Sequence, residues 1–167
     1  MNQQAIIEKT AEYARKTLEG EGSGHDWWHV YRVWKMATHI GHQEGADMLV
    51  VELAALLHDI ADWKFHDGDY TVGPKRAYEI LLAHGVTESI ADRVSEIIAT
   101  MSFKGAGVPT PMQTLEGQIV QDADRLDALG AIGVARAFAT GAVFGEVLHD
   151  PSVAPQRHDS PGEYVAS

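Results

Sequence analysis

An almost uninterrupted apolar stretch, LVVELAALL, lies near the middle of the chain and runs directly into His58 and Asp59. The sequence predicts a helix over about residues 46–58, and its apolar residues cover nearly the whole circumference of that helix. A helix of this kind is buried in the middle of a core rather than laid on a surface. With 167 residues, the chain is long enough to form one domain with a sizeable core.

Apolar residues recur at helical spacing along most of the remaining chain. The spacing predicts further helices, one that ends before Gly20 and others over about 26–41, 74–84, 87–98, 115–129 and 131–147. No strand alternation and no internal repeat is found, so the sequence predicts an all-α bundle of six or seven helices. We expect a single domain over residues 1–150, followed by a weakly structured tail over 151–167.

Composition disfavours several classes of function. A net charge of −11 argues against a nucleic acid polymer as a partner, because such binding relies on broad cationic neutralisation. The absence of cysteine excludes a disulfide scaffold, an iron–sulfur protein and a thiolate zinc site. No apolar run approaches the roughly 20 residues of a membrane span, and the polar residues 1–4 do not begin a signal peptide. We therefore expect a soluble cytoplasmic protein without a membrane partner.

Histidine is followed by aspartate at five places, beginning at residues 25, 58, 66, 149 and 158. Four of these pairs lie in glycine-, proline- or polar-rich segments, where a solvated pair is the simpler interpretation. The pair His58 and Asp59 differs because it ends the apolar helix, where an unpaired carboxylate would be costly. This pair therefore needs a partner. Considered without the rest of the sequence, the pair is explained equally well by a hydrogen bond between His58 and Asp59 at the helix end and by a metal site.

Two residues elsewhere favour a metal site. His29 shares a helical face with apolar residues that include Met36, so its imidazole is expected to point inward. Asp124, close to Asp127 on a predicted helix, also needs a counter-charge. Together the sequence offers two imidazoles and two carboxylates from three helices, which suits one divalent ion with open positions for water and substrate. These four residues are His29, His58, Asp59 and Asp124.

The order His…His-Asp…Asp occurs here in the contexts GHDWWHVYRVWKMA, LAALLHDIAD and QDADRLDALGAIGVARAF. It resembles that of the HD-domain metal-dependent phosphohydrolases, above all their small bacterial branch of nucleotide hydrolases, over about residues 20–150. The resemblance implies an HD-domain helical bundle in which His29, His58, Asp59 and Asp124 are the metal ligands. Similar proteins continue with further helices, so the resemblance leaves open a truncated or different C-terminus over residues 151–167.

Hydrolysis of a phosphate bond also needs a base and cations that receive the phosphate. Asp62, one helical turn beyond His58, is the candidate general base, as the resemblance also suggests; a solvated aspartate at a helix end is the alternative. Arg32, Lys64 and Arg125 are candidates for binding the substrate phosphate. A surface cation paired with the abundant acids is the alternative for these three, most of all for Arg125.

Mixed nitrogen and oxygen ligands favour Mn²⁺, with Fe²⁺, Co²⁺, Ni²⁺, Zn²⁺ or Mg²⁺ as alternatives. One ion is expected, since no paired-histidine motif lies between Asp59 and Asp124. The resemblance implies a metal-dependent phosphohydrolase of a small nucleotide-type substrate, first of all one that releases pyrophosphate from a (deoxy)nucleoside triphosphate. The alternatives are a nucleoside monophosphate phosphatase, a non-catalytic HD module that senses a metal or nucleotide, and a structural helical protein. Whether the protein forms a homo-oligomer is left open.

Overall fold

The protein is described by a computed structural model that covers residues 2–61, 66, 68–103, 107–154 and 159–160. Seven α-helices and no strand occur in these ranges, which confirms the all-α prediction. The helices are α1 (Gln3–Thr17), α2 (Trp27–Glu44), α3 (Met48–Leu57), α4 (Val72–Ala83), α5 (Glu88–Met101), α6 (Leu115–Asp127) and α7 (Gly130–Val143).

Capping residues set the ends of α2, the helix that carries His29. The Asp26 side chain accepts a hydrogen bond of 2.8 Å from the His29 backbone N–H, which stabilises the first turn. Gly45 ends the helix in the left-handed conformation, with φ of 69°. The helix therefore extends to Glu44, three residues beyond the predicted end, because the glycine at position 41 is accommodated inside it.

The helix α3 is the centre of the core, as the apolar stretch predicts. Every residue from Leu49 to Leu57 is buried except Glu52. The helix packs against α1, α2, α5 and α6, while α2 also packs against α6 and α4 against α5. The residue that caps its C-terminus, His58, therefore lies beside both α2 and α6.

The helix α7, in contrast to α3, is mostly exposed. It ends at Val143, four residues before the predicted end, and Gly141 is its only buried residue. Large apolar side chains of the helix and of the segment after it are exposed, among them Ile132, Phe138 and Leu148. Among the described residues, no single helix is long and apolar enough to cross a membrane; α6 and α7 meet that test only as a pair bent by 83°.

Candidate metal centre

The four predicted metal ligands lie together where α2, α3 and α6 meet. The Nε2 atoms of His29 and His58 are 3.1 Å apart. Oδ2 of Asp59, the residue after the C-cap of α3, lies 3.2 Å from the His29 Nε2 and 3.5 Å from the His58 Nε2. Oδ1 of Asp124 lies 3.4 Å and 3.8 Å from the same two nitrogens. Two imidazole nitrogens and two carboxylate oxygens thus point at one small volume.

The chemistry of this donor set fits a divalent cation. His29, His58 and Asp59 each offer one ligand atom, and these atoms lie within 4.8 Å of one another. The Asp59 Oδ2 atom is buried and accepts no hydrogen bond of acceptable geometry from the described residues. A buried carboxylate oxygen in this state is costly unless a cation is its partner. The residues that are present could therefore hold a metal ion.

Hydrogen bonds on the far side of each ring orient the imidazoles. The His58 Nδ1 atom lies 2.8 Å from the backbone carbonyl of Ala55, to which it donates as Nδ1–H. The His29 Nδ1 atom lies 2.8 Å from Oδ2 of Asp127 and donates to that carboxylate. Both contacts favour rings with a protonated Nδ1, which leaves each Nε2 available at the shared volume.

The prediction for the face of α2 is confirmed for His29, which is 0% exposed, and is wrong for Met36, which is 41% exposed. The buried residues of α2 are His29, Val30, Val33, Ala37 and Gly41. At 3.6 residues per turn they cover an arc of about 120° around the helix, with His29 at one edge. Met36 lies about 20° beyond that edge, on the exposed side.

The electrostatics of the cluster favour its charged forms. Burial lowers the pKa of His29, but the adjacent carboxylates of Asp124, Asp127 and Asp59 outweigh it and raise that pKa to about 10. Burial alone would raise the pKa of Asp59, yet the charge of His58 and the nearby His29, whose Nε2 lies 3.2 Å from Oδ2, hold it well below its ordinary value. The pKa of Asp124 is lowered for the same reason, with burial opposed by His29 and His58. A metal ion bound here would take the place of the proton on Nε2 of His29.

Asp127 extends the cluster beyond the predicted ligands. Besides His29, it accepts hydrogen bonds from Arg32, at 2.7 Å and 3.0 Å, and from Arg136 at 3.3 Å. The sequence shows Asp127 only as a helical neighbour of Asp124. Its partners come from α2 and α7, so the helical spacing within α6 contains no signal for them.

A cleft of about 1050 Å³ opens beside the cluster. His58, Asp59 and Asp124 form part of its wall, and Arg125 and Arg136 bring positive charge to it. Apolar side chains line another part of the cleft, among them Ile98, Met101, Phe103 and Met112. The space thus combines charged groups with an apolar surface.

The predicted phosphate-binding residues are placed differently from one another. Arg125 lines the cleft and donates a 2.5 Å hydrogen bond to the Thr110 hydroxyl. The guanidinium of Arg32 is paired with Asp127, and Arg32 is not among the residues of the cleft wall. Lys64 and the candidate base Asp62 lie outside the described residues. The phosphate-binding roles stay predictions.

His25 and Arg136 belong to the cleft wall, although the sequence predicts a place in the site for neither of them. The solvated interpretation of the pair that begins at residue 25 is wrong for His25, which is half-buried with its ring 5.9 Å from that of His29. Its partner Asp26 caps α2 with its side chain. His25 precedes the N-cap of α2 and lies outside the helix, so helical spacing contains no signal for it.

The sequence as a whole matches proteins of one family. The model of the HD domain matches residues 27–129, from the start of α2 to just beyond α6. The protein YpgQ of Bacillus subtilis is 42% identical over 153 residues, which make up 90% of this chain and 74% of YpgQ.

Solved structures agree with this match. A Lactobacillus plantarum protein superimposes with a TM-score of 0.82 at 35% identity, over 99% of this chain and 76% of the other. The complex of YpgQ with ADP superimposes with a TM-score of 0.72 at 35% identity, over 98% and 77% of the two chains. An HD-superfamily hydrolase of Bacillus thuringiensis reaches 0.67 at 43% identity, over 92% and 74%.

Proposed function

Because this chain belongs to the HD-domain family and is an HD-superfamily hydrolase, we propose that it hydrolyses a nucleotide phosphate with the help of one divalent metal ion. The preferred reaction releases pyrophosphate from a (deoxy)nucleoside triphosphate. One observation carries the proposal: the Nε2 atoms of His29 and His58 and carboxylate oxygens of Asp59 and Asp124 converge at the wall of a cleft.

In this proposal His29, His58, Asp59 and Asp124 hold the ion, for which Mn²⁺ is the first choice. When bound, such an ion activates water for attack and neutralises charge on phosphoryl oxygens. The protein's own contribution is to keep the His58 ring oriented through the Ala55 carbonyl and to exclude bulk water from the buried side of the site. Asp62 is proposed as the general base from its sequence position.

The choice of a nucleotide rests on the cleft and on a relative. YpgQ has been crystallised in complex with ADP, and it superimposes over nearly the whole of this chain. The cleft of about 1050 Å³ is at the upper end of the size range of small-molecule sites. Arg125 and Arg136 are suited to phosphate oxygens, and the apolar side chains near Met101 to a base. Arg32 and Lys64 stay proposed as further phosphate ligands.

The test is a phosphate-release assay with each of the common ribo- and deoxyribonucleoside tri- and monophosphates. Each substrate is incubated with Mn²⁺, with and without added inorganic pyrophosphatase. Pyrophosphate release predicts that phosphate is detected only when the pyrophosphatase is present. Phosphate from monophosphates without the added enzyme would instead make the protein a phosphomonoesterase, and bound nucleotide without turnover would make it a sensor.

A pair of substitutions on α6 provides the control. Asp124→Asn removes a proposed ligand and is expected to abolish Mn²⁺-dependent release, whereas Asp122→Asn changes an exposed carboxylate two residues away and is expected to leave release unchanged. Equal activity of both variants would refute the assignment of Asp124. Absence of metal-dependent release from every nucleotide would refute the hydrolase proposal.

A further inference from the structure

The Asp127 carboxylate is held by three side chains from two other helices. Its Oδ1 atom accepts a 2.7 Å hydrogen bond from Nε of Arg32. Its Oδ2 atom lies 2.8 Å from Nδ1 of His29 and accepts bonds of 3.0 Å and 3.3 Å from Arg32 and Arg136. Because Arg32 binds both oxygens in a fork, the plane of the carboxylate is fixed. The side chain is only 8% exposed, so water competes little for these contacts.

The contact with His29 lies on the side of the ring that faces away from the cluster. His29 has one nitrogen 2.8 Å from Asp127 and the other 3.1 Å to 3.4 Å from the neighbouring donor atoms. A carboxylate that accepts the Nδ1–H bond therefore sets both the rotation of the ring and the nitrogen that is left to bind a cation. Asp127 itself contacts the Nδ1 side of the ring and not the Nε2 side where the other donor atoms gather, so it is not one of the proposed ligands.

We propose that Asp127 is a positioning residue that aims Nε2 of His29 at the metal ion, with Arg32 and Arg136 as the clamps that keep its carboxylate in place. This inference rests on the proposed metal site. It also explains why Arg32, although one turn from His29 on α2, points at Asp127 instead of lining the cleft.

Metal affinity measured without substrate tests this role. Asp127→Ala is expected to weaken Mn²⁺ binding about 10- to 100-fold in calorimetric titration, the usual loss when the outer partner of a metal-binding histidine is removed. Asp127→Asn keeps a hydrogen-bond acceptor and is expected to lose less. Asp47→Ala is the matched control, because Asp47 also pairs with an arginine, Arg93 at 2.7 Å, but at the surface. The control is expected to bind Mn²⁺ as the wild type does.

The visible absorption of the Co²⁺-loaded protein separates positioning from a merely structural role. At saturating Co²⁺, a reoriented His29 is expected to change the spectrum in Asp127→Ala and, less strongly, in Asp127→Asn, while Asp47→Ala keeps the wild-type spectrum. An unchanged Kd and spectrum in Asp127→Ala would overturn the inference. If that variant does not fold, the same two measurements on Asp127→Asn decide.

Failure of this inference can be told apart from failure of the proposed function. A wild-type protein that binds Mn²⁺ and hydrolyses nucleotides, together with an Asp127→Ala variant of unchanged affinity, overturns only the role of Asp127. A wild-type protein that binds no Mn²⁺ overturns the metal site and this inference with it.

Discussion

The helices α3 and α7 have similarly apolar sequences but opposite surroundings. In α3 every residue from Leu49 to Leu57 except Glu52 is buried, and four other helices pack around it. In α7 only Gly141 is buried. What ties α7 to the rest of the described chain is polar: Arg136 Nε donates a 2.6 Å bond to the Gly24 carbonyl, and the Thr140 hydroxyl donates a 2.7 Å bond to the Ser23 carbonyl.

This difference shows that apolar composition and burial are separate properties. The side chains of α3 are removed from water on all sides, and this burial of apolar surface raises the free energy of unfolding. The helix α7 contributes instead to the cleft, because the hydrogen bonds of Arg136 place its guanidinium beside Asp127 and the proposed metal site. One apolar helix builds the core, and the other completes the wall of the site.

The largest expected effect contrasts the two helices directly. Leu53→Ala creates a cavity at a fully buried position of α3 and is expected to lower the free energy of unfolding by about 2–5 kcal/mol. Phe138→Ala on α7, where the side chain is 49% exposed, is expected to change it by less than about 0.5 kcal/mol. Urea denaturation followed by circular dichroism measures both. Similar losses for the two variants would show that α7 is packed as tightly as α3.

The charged cluster, unlike the apolar core, should make stability depend on pH. The pKa of His29 is raised from 6.5 to about 10 in the folded protein, so its contribution is full below pH 6.5 and is lost as the pH rises through 10. Metal-free protein in EDTA is expected to lose a few kcal/mol of stability over this range, at about 1.4 kcal/mol for each pKa unit. Urea titrations at several pH values measure the loss, and His29→Gln should remove most of it. A flat profile would contradict the charge state of His29.

The carboxylates of the cluster act at the other end of the pH scale. The pKa of Asp59 and that of Asp124 are lowered below the ordinary value of 3.8 by the neighbouring histidines, against the opposing effect of burial. Their contribution is present above pH 3.8 and is lost as the pH falls below it. The metal-free protein is therefore expected to be most stable between about pH 4 and 6.5, and acid titration followed by circular dichroism checks the lower limit.

Smaller effects are expected from the polar bonds of α7. Arg136→Ala removes the bonds to Gly24 and Asp127 and is expected to cost about 1–3 kcal/mol, because the partly buried Gly24 carbonyl loses this donor and Asp127 loses one of its three partners. Thr140→Val removes one bond to Ser23 and is expected to cost about 0.5–1.5 kcal/mol. Amide hydrogen exchange should show the loss of protection in α7 with α3 unchanged. Equal loss in both helices would contradict the separate attachment of α7.

Much of the fold could be predicted because its signals are local. The apolar circumference of α3 predicts its burial, and the i, i+4 pattern of α2 predicts that His29 points inward; both predictions are confirmed. The same local reasoning is wrong for Met36, which lies just beyond the edge of the buried arc of α2, because the packing of α3 and α6 against α2 decides which arc is covered. The predicted end of α7 is also wrong, because a glycine-rich apolar sequence does not by itself specify where a helix ends.

The candidate site likewise has one part that the sequence predicts and one part that it does not. The residue types of His29, His58, Asp59 and Asp124, and the order in which they occur, are legible in the sequence because each interrupts an apolar pattern where a polar group is costly. The partnership of Asp127 with Arg32 and Arg136, and the place of His25 on the cleft wall, are decided only by the tertiary structure. These contacts join residues that are far apart along the chain, such as Arg32 and Asp127, and no local periodicity records which helices will pack together. The sequence by itself determined an all-α core and the chemistry available to it, while the packing of α2, α6 and α7 decided which charges meet.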